Sequence, residues 1–223
     1  MERILIIHTS LSEAFVMLAD KEKIIAVKEN NQPKEHASFL HATINDLLKK
    51  LDLKPSDISA VGVTTGPGSY TGIRVGLSAA KGICFALNLP LIGCNTLELL
   101  AHEALHNCNS EKAVISLIHA RQKEYFVAVY NYQLTVIQPP SHLIISEDTF
   151  REIKGQKWVV TLNDDEIKSL LYGPQFQYVN LNKLDAEKAY LLFQKRWLNN
   201  EYSDVENAAP VYLKEAYTTH PLN

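Results

Sequence analysis

The sequence predicts an α/β protein of two lobes, with a mixed sheet that opens on three antiparallel strands. Short apolar runs at Ile4–Ile7, Ala14–Ala19 and Ile24–Lys28 follow one another closely, and Asp20-Lys21-Glu22-Lys23 makes the turn between the last two. Helical stripes then alternate with apolar strands, the pattern of crossovers to parallel neighbours. A third observation is a group of strand-like runs that begins near Glu111 and partly echoes the first. The division expected from these patterns is a first lobe over residues 1–108 and a second over 109–223, the latter ending in a helix and tail. A chain of 223 residues with 46% hydrophobic content can bury either one large core or two small ones, and the echo favours two.

After the breakers Asn30-Asn31-Gln32-Pro33, apolar residues at Ala37, Leu40, Ile44, Leu47, Leu48 and Leu51 fall on one stripe of a helix over 34–51. Ala60–Thr65 reads as a strand, Gly66-Pro67-Gly68 as a turn, Thr71–Leu87 as a helix, and Leu89–Cys94 as a further strand. Asn95 is placed to cap a helix running to about Leu105, with Glu98 completing a capping box. In the second half Ala113–Ile118, Glu124–Tyr130 and Leu134–Gln138 read as adjacent strands, broken by Pro139-Pro140. A short helix over Glu147–Ile153, a strand at Trp158–Leu162, a helix from Asp185 to Trp197 and an extended tail through Leu213 complete the reading. Three antiparallel strands feeding crossover helices that return to parallel strands are the layout of the ribonuclease-H-like, actin-type fold.

Composition excludes several functions. The net charge of -3 supplies no general excess of Lys and Arg, so nucleic-acid contact would need a local patch or a partner subunit. Cys84, Cys94 and Cys108 form neither a CxxC pair nor an even set, and read as buried reduced thiols of a cytosolic protein. The apolar run Ile4–Ile7 is too short for a signal-peptide core, and Arg74 and Lys81 interrupt the best candidate for a membrane span. The expectation is a soluble cytoplasmic protein.

The strand–glycine–helix junction at Gly66-Pro67-Gly68-Ser69-Tyr70-Thr71 sets backbone amides at a helix N-terminus, where the dipole favours anions. The templates for nucleotide binding do not fit. No Lys follows the glycines, the spacing is GxGxxxG, and no acidic residue ends the next strand at Cys94-Asn95. The plainer reading is a tight turn and close packing of the following helix. Gly72, Gly76 and Ala80 recur at every fourth residue, while Ile73, Leu77, Ile83, Phe85 and Leu87 cover much of the remaining circumference. A helix apolar nearly all round is buried on more than one side. One side is the sheet, and the other is either the preceding helix or a second protein chain.

Other constellations read as structural. His36 and His41 are five residues apart and so about 140° apart around a helix, which does not suit two ligands of one ion. They read as surface or interface histidines. His102 and His106 share a face, without a visible third ligand. Ser69 lacks the GxSxG elbow of a hydrolase and reads as an N-cap. Arg121, Lys123 and Glu124 open a strand beside a turn, where charge ordinarily faces water.

The run Thr65-Gly66-Pro67-Gly68-Ser69-Tyr70-Thr71-Gly72-Ile73-Arg74-Val75-Gly76, continuing to Gly82 and followed by Leu89–Leu97, resembles the signature of the TsaB (YeaZ) family of tRNA threonylcarbamoyladenosine biosynthesis proteins. The resemblance covers the first half of the chain, through the helix containing Glu35-His36, and weakly Ala120–Tyr125. It implies a two-lobed actin-like scaffold without chemistry of its own. The implied partner is a TsaD-like subunit that transfers threonylcarbamoyl to adenosine 37 of tRNAs reading codons that begin with A. A TsaE-like ATPase joins the pair, and a homodimer uses the same face. It implies contact with tRNA only through the complex, and ATP and a metal only there, with no cofactor or metal of this chain's own.

On that resemblance the interface falls on the first-lobe helices, at His36, Phe39, Leu40, Thr71, Gly72, Val75, Gly76, Ala79 and Ala80. Any nucleotide or phosphate contact falls at Gly66, Gly68, Ser69, Thr71, Arg74 and Arg121, and no residue is assigned a catalytic role. The chain departs from the family at His8 and His119, where aspartates are usual, and lacks a Gly-Asp-Gly turn near Leu162-Asn163-Asp164-Asp165. A neutral imidazole is a poor magnesium ligand. The competing expectation is an autonomous enzyme of the same fold, a small-molecule kinase or carbamoyl-type transferase using the Gly66–Gly72 loop for phosphate.

Overall fold

The computed structural model describes residues 2–32, 36–108 and 111–214. Among the described residues, ten strands fall into two five-stranded mixed sheets. In the first, β1 (Ile4–His8), β2 (Ala14–Ala19) and β3 (Ile24–Asn30) form the expected antiparallel meander, while β4 (Ala60–Gly66) and β5 (Leu91–Asn95) add in parallel beyond β1. The order is β3-β2-β1-β4-β5. β1 is central and every one of its residues is buried, which explains an apolar run without alternation.

The second sheet repeats that topology. It comprises β6 (Ala113–Arg121), β7 (Glu124–Tyr130), β8 (Val136–Ile144), β9 (Lys157–Leu162) and β10 (Phe176–Leu181). β6, β7 and β8 are antiparallel, β9 and β10 extend in parallel from β6, and the order β8-β7-β6-β9-β10 matches the first sheet strand for strand. The echo predicted from sequence is thus a duplication of one ribonuclease-H-like, actin-type unit.

Helices α1 (His36–Lys50) and α2 (Tyr70–Leu87) cover one face of the first sheet, burying Leu40, Leu47, Leu77 and Ala80 against Leu5, Ile7, Val16 and Val61. The other face meets α3 (Thr96–Asn107) and α5 (Ala186–Leu198), and this core reaches into the second sheet through Val114, Ala128, Tyr130 and Val160. A third cluster, with Leu117, Tyr125, Val159 and Phe176, fills the outer face of the second sheet. No helix of the described residues is long and apolar enough to cross a membrane.

Capping follows the sequence in part. Ser69 Oγ accepts from the Gly72 amide at 3.2 Å, and Asp185 Oδ1 accepts from those of Glu187 and Lys188. Asn95 Oδ1 accepts from the Leu97 amide at 2.9 Å, but the expected capping box gives way to an ion pair. Both Glu98 carboxylate oxygens take a bond from Arg196 Nη2, at 2.6 and 2.7 Å, tying α3 to α5. An ion pair with a guanidinium, charged on both sides, outweighs the bond from the same carboxylate to a neutral backbone amide.

Four expectations are corrected. Pro139-Pro140 does not end a strand. β8 runs through both prolines because it is an edge strand, and its pairing with β7 shifts between Val127 and Val129, where missing donors are tolerated. Residues 147–153 form successive turns instead of a helix, with short-range bonds such as Arg151 N to Asp148 O. β10 and the one-turn α4 (Ile167–Leu170) were not predicted. Nor is the tail merely extended: residues 199–214 return across the first lobe. Ser203 N donates to Leu91 O, Val211 N to Thr65 O, and Lys81 Nζ to the carbonyls of Glu206 and Ala208.

Candidate interaction face and glycine-rich loop

At the end of β4, Gly66 has φ +100 and is followed by a cis peptide to Pro67. Gly68 has φ +152, and a Cβ there would collide with the Ser10 carbonyl, so the loop lies directly on the segment leaving β1. Three amides at this junction bond within the chain. Ser69 N donates to Ser10 O at 2.8 Å, Gly72 N to Ser69 Oγ, and Ile73 N to Ser69 O at 2.9 Å. Arg74 Nη1 donates to the Tyr70 hydroxyl at 2.7 Å, and Tyr70 stacks on Tyr212 of the returning tail, ring centroids 4.9 Å apart. Thr71 is exposed, while Arg121 sits at the β6–β7 turn. With these donors engaged, the reading of the loop as an autonomous phosphate cradle finds no support.

A cavity of about 450 Å³ separates this loop from the second lobe, with Ser10, Ser69, Ile118, His119, Ala120 and Phe126 among its lining. His119, and not Arg121, is the second-lobe polar residue brought there. Its Nε2 lies 2.6 Å from the Gln122 carbonyl. His8 is buried at the end of β1 and stacks on Phe15 at 4.8 Å. Burial, with His36 adding to it, lowers its pKa to about 3, so the ring is neutral at ordinary pH. Among the described residues neither ring nitrogen has a hydrogen-bond partner.

The small-residue stripe of α2 points inward. A Cβ at Gly72 would strike the Thr9 carbonyl oxygen, and one at Gly76 the Thr9 hydroxyl and, at 3.4 Å, Ile7 Cγ2. Thr9 Oγ1 donates to Gly72 O at 2.7 Å, fastening helix to strand end. Gly72, Gly76, Ala80 and Leu40 are therefore buried within this chain. His36, expected at a surface or interface, is buried too, its Nε2 3.1 Å from Leu11 O. His41 is exposed, and the two imidazoles diverge as the helical angle requires.

What remains open is a groove of about 730 Å³ between the outer faces of α1 and α2. Ala37, His41, Ile44 and Leu48 of α1 face Val75, Ala79, Gly82, Ile83 and Ala86 of α2, with Pro55 and Ile58 closing one end. Val75 and Ala79 were expected on an interface. The sequence reading missed Gly82 and Ala86, although the 3.6-residue period places them on one stripe with Val75 and Ala79. Ala37 and Ile44 were assigned to the stripe facing the sheet, yet they edge the groove.

A family model described as TsaD: tRNA N6-adenosine threonylcarbamoyltransferase matches residues 23–148. The chain belongs to this family. Within it the similarity over the whole chain is to TsaB. The Bacillus subtilis tRNA threonylcarbamoyladenosine biosynthesis protein TsaB is 26% identical over 96% of this chain and 94% of its own. Escherichia coli TsaB is 35% identical over a shorter stretch, 44% of this chain and 42% of its own. A Clostridium botulinum tRNA N6-adenosine threonylcarbamoyltransferase is 36% identical over 81 residues, 24% of its length. The solved structure of YeaZ from Pseudomonas aeruginosa superposes with a TM-score of 0.79 at 23% identity, covering 96% of this chain and 100% of that one. The TsaB (YeaZ) resemblance read from the Gly66–Gly76 segment therefore holds for the chain as a whole, and the fold is that of YeaZ.

Proposed function

We propose that this TsaB-family protein serves the biosynthesis of threonylcarbamoyladenosine in tRNA as a non-catalytic subunit, docking a TsaD-like catalytic subunit on the α1–α2 groove. The observation that carries the reading is an exposed apolar groove between two helices that lie within residues 23–148, the stretch the family model matches. A contiguous apolar face of this kind is the usual mark of an interaction site. The partner's chemistry follows from kinship. The threonylcarbamoyltransferase relative shares 36% identity over 81 residues with this chain. A subunit built on a like lobe presents a like pair of helices, and two such faces pack as a near-symmetric four-helix contact. The same geometry makes a homodimer the competing assembly. On this reading ATP and a metal act in the partner complex, a TsaE-like ATPase joins it, and tRNA is reached through it.

The test is co-expression with the same organism's TsaD. Gly76 is unsuitable for substitution, because it is buried against Thr9 and a bulky residue would damage the fold. A Cβ at Gly82 meets nothing within 4 Å, and Ala86 is exposed. Gly82→Arg and Ala86→Arg should leave the melting temperature within about 2 °C of the parent while abolishing co-purification. A stoichiometric complex that survives both substitutions would refute the assigned face.

A further inference from the structure

The second lobe carries a feature that the proposed contact does not use. Lys157 opens β9, an interior strand hydrogen-bonded to β6 on one side and β10 on the other. It shares a face with Val159 and packs at the end of the outer core of this lobe, beside Phe176 and Phe150. Only 4% of its surface is exposed. The ammonium donates to Gly155 O at 2.7 Å and lies 5.6 Å from the centre of the Phe176 ring. Among the described residues it has no carboxylate partner, and burial lowers its pKa. A buried ammonium with one carbonyl bond and no counter-charge is costly to maintain.

A cavity of about 650 Å³ adjoins it. Of the other charged residues on its wall, Arg151 is ion-paired with Asp148 at 2.5 Å and Glu147 accepts a bond from Tyr172 at 2.8 Å. Lys154 is exposed at the rim. The wall carries three cations, Arg151, Lys154 and Lys157, against the two carboxylates Glu147 and Asp148. Gln175, whose backbone carbonyl takes the Lys157 amide at 2.8 Å, adds a neutral side-chain amide to the same wall.

We propose that this second-lobe pocket binds a small oxyanion, a phosphate or carboxylate group, through the ammonium of Lys157. The ammonium has donors beyond the one given to Gly155, and its burial beside Phe150 and Phe176 strengthens a charge-assisted bond relative to water. Lys154 adds long-range attraction at the mouth. The site is remote in sequence from the α1–α2 groove and stands or falls independently of the partner assignment.

The experiment is a titration of the full-length, 15N-labelled chain at constant ionic strength, with inorganic phosphate in one arm and acetate in the other. Saturable shifts of the Gly155, Lys157 and Gln175 amides are expected. Saturation by phosphate alone identifies a phosphorylated ligand, and saturation by both identifies a general oxyanion site. Lys157→Met keeps the length of the side chain without its charge and should weaken binding about tenfold or more. No saturable shift with either anion overturns the proposal, as does an unchanged affinity in the Met variant. If that variant does not fold, the map on the unaltered chain decides. Shifts centred on those three amides support the site, and shifts centred elsewhere overturn it.

Discussion

Replacing two glycines of α2 by alanine should move stability in opposite directions. At Gly72 the added Cβ would fall well inside 3.0 Å of the Thr9 carbonyl oxygen, a backbone atom that no rotamer change can clear. Helix and strand end must separate, at an overpacking cost of about 1–3 kcal/mol. The buried Thr9–Gly72 hydrogen bond is strained or lost in the process, for about 1–3 kcal/mol more. Alanine's better helix propensity returns up to about 1 kcal/mol, leaving a net loss of about 2–4 kcal/mol. At Gly82 no atom lies within 4 Å of the new methyl, so only the propensity gain of about 0.5–1 kcal/mol remains. The assay is urea unfolding followed by far-ultraviolet circular dichroism. With a slope of about 2 kcal/mol per molar urea, Gly72→Ala should lower the midpoint by about 1–2 M and Gly82→Ala raise it by about 0.3–0.5 M. A Gly72→Ala protein at or above the parental midpoint would show that α2 does not lie this close to the end of β1.

Two further substitutions probe the core between the lobes. Arg196→Met leaves Glu98 largely buried without its partner, with side-chain exposures of 21% and 15% in the pair, and should cost about 2–3 kcal/mol in the same unfolding assay. The His8 ring, held neutral with a pKa near 3, contributes stability that is complete above its unfolded value of 6.5 and is lost as pH falls toward 3. Between pH 7 and 5 that loss is about 2 kcal/mol. His102, lowered to about 4 by burial, acts in the same direction, so the share of His8 is the difference in slope between parent and His8→Gln. Equal slopes would contradict the buried neutral ring.

Much of this fold was legible because periodicity and capping agree in the first lobe. β1 to β3 and both crossover helices follow from apolar spacing, and the Ser69 and Asn95 caps from residue type at the helix starts. The second lobe was harder to read where tertiary context overrides local chemistry. Pro139 and Pro140 signal a break, but the outermost position of β8 relieves them of ladder duty. β10 buries only its two end residues, Phe176 and Leu181, without alternation, so it carries little signal without β9 beside it. Of the α2 residues expected on an interface, Val75 and Ala79 line the groove, while Gly72, Gly76 and Ala80 are buried within this chain. Small residues at every fourth position announce a close approach of backbones without saying which backbone approaches. Here it is the segment after β1, through Thr9.

That assignment changes what the glycine signature means. The spacing that identifies the family is consumed inside this lobe, where Gly68, Gly72 and Gly76 seat α2 against Ser10 and Thr9. Helix α2 is thereby drawn close to the sheet, and its neighbouring stripe at Val75, Ala79, Gly82 and Ala86 is set facing α1. The glycine packing and the open groove are then neighbouring stripes of one helix, one setting the position of the other. A substitution on the inner side, such as Gly76→Val, would lose partner binding together with stability, whereas one on the outer side, such as Gly82→Arg, should lose binding alone. Measuring both quantities on both variants separates a helix that contacts the partner from one that merely supports the lobe. If the Gly82→Arg protein retains its partner and only the Gly76→Val protein loses it, the helix supports the lobe and the partner binds elsewhere.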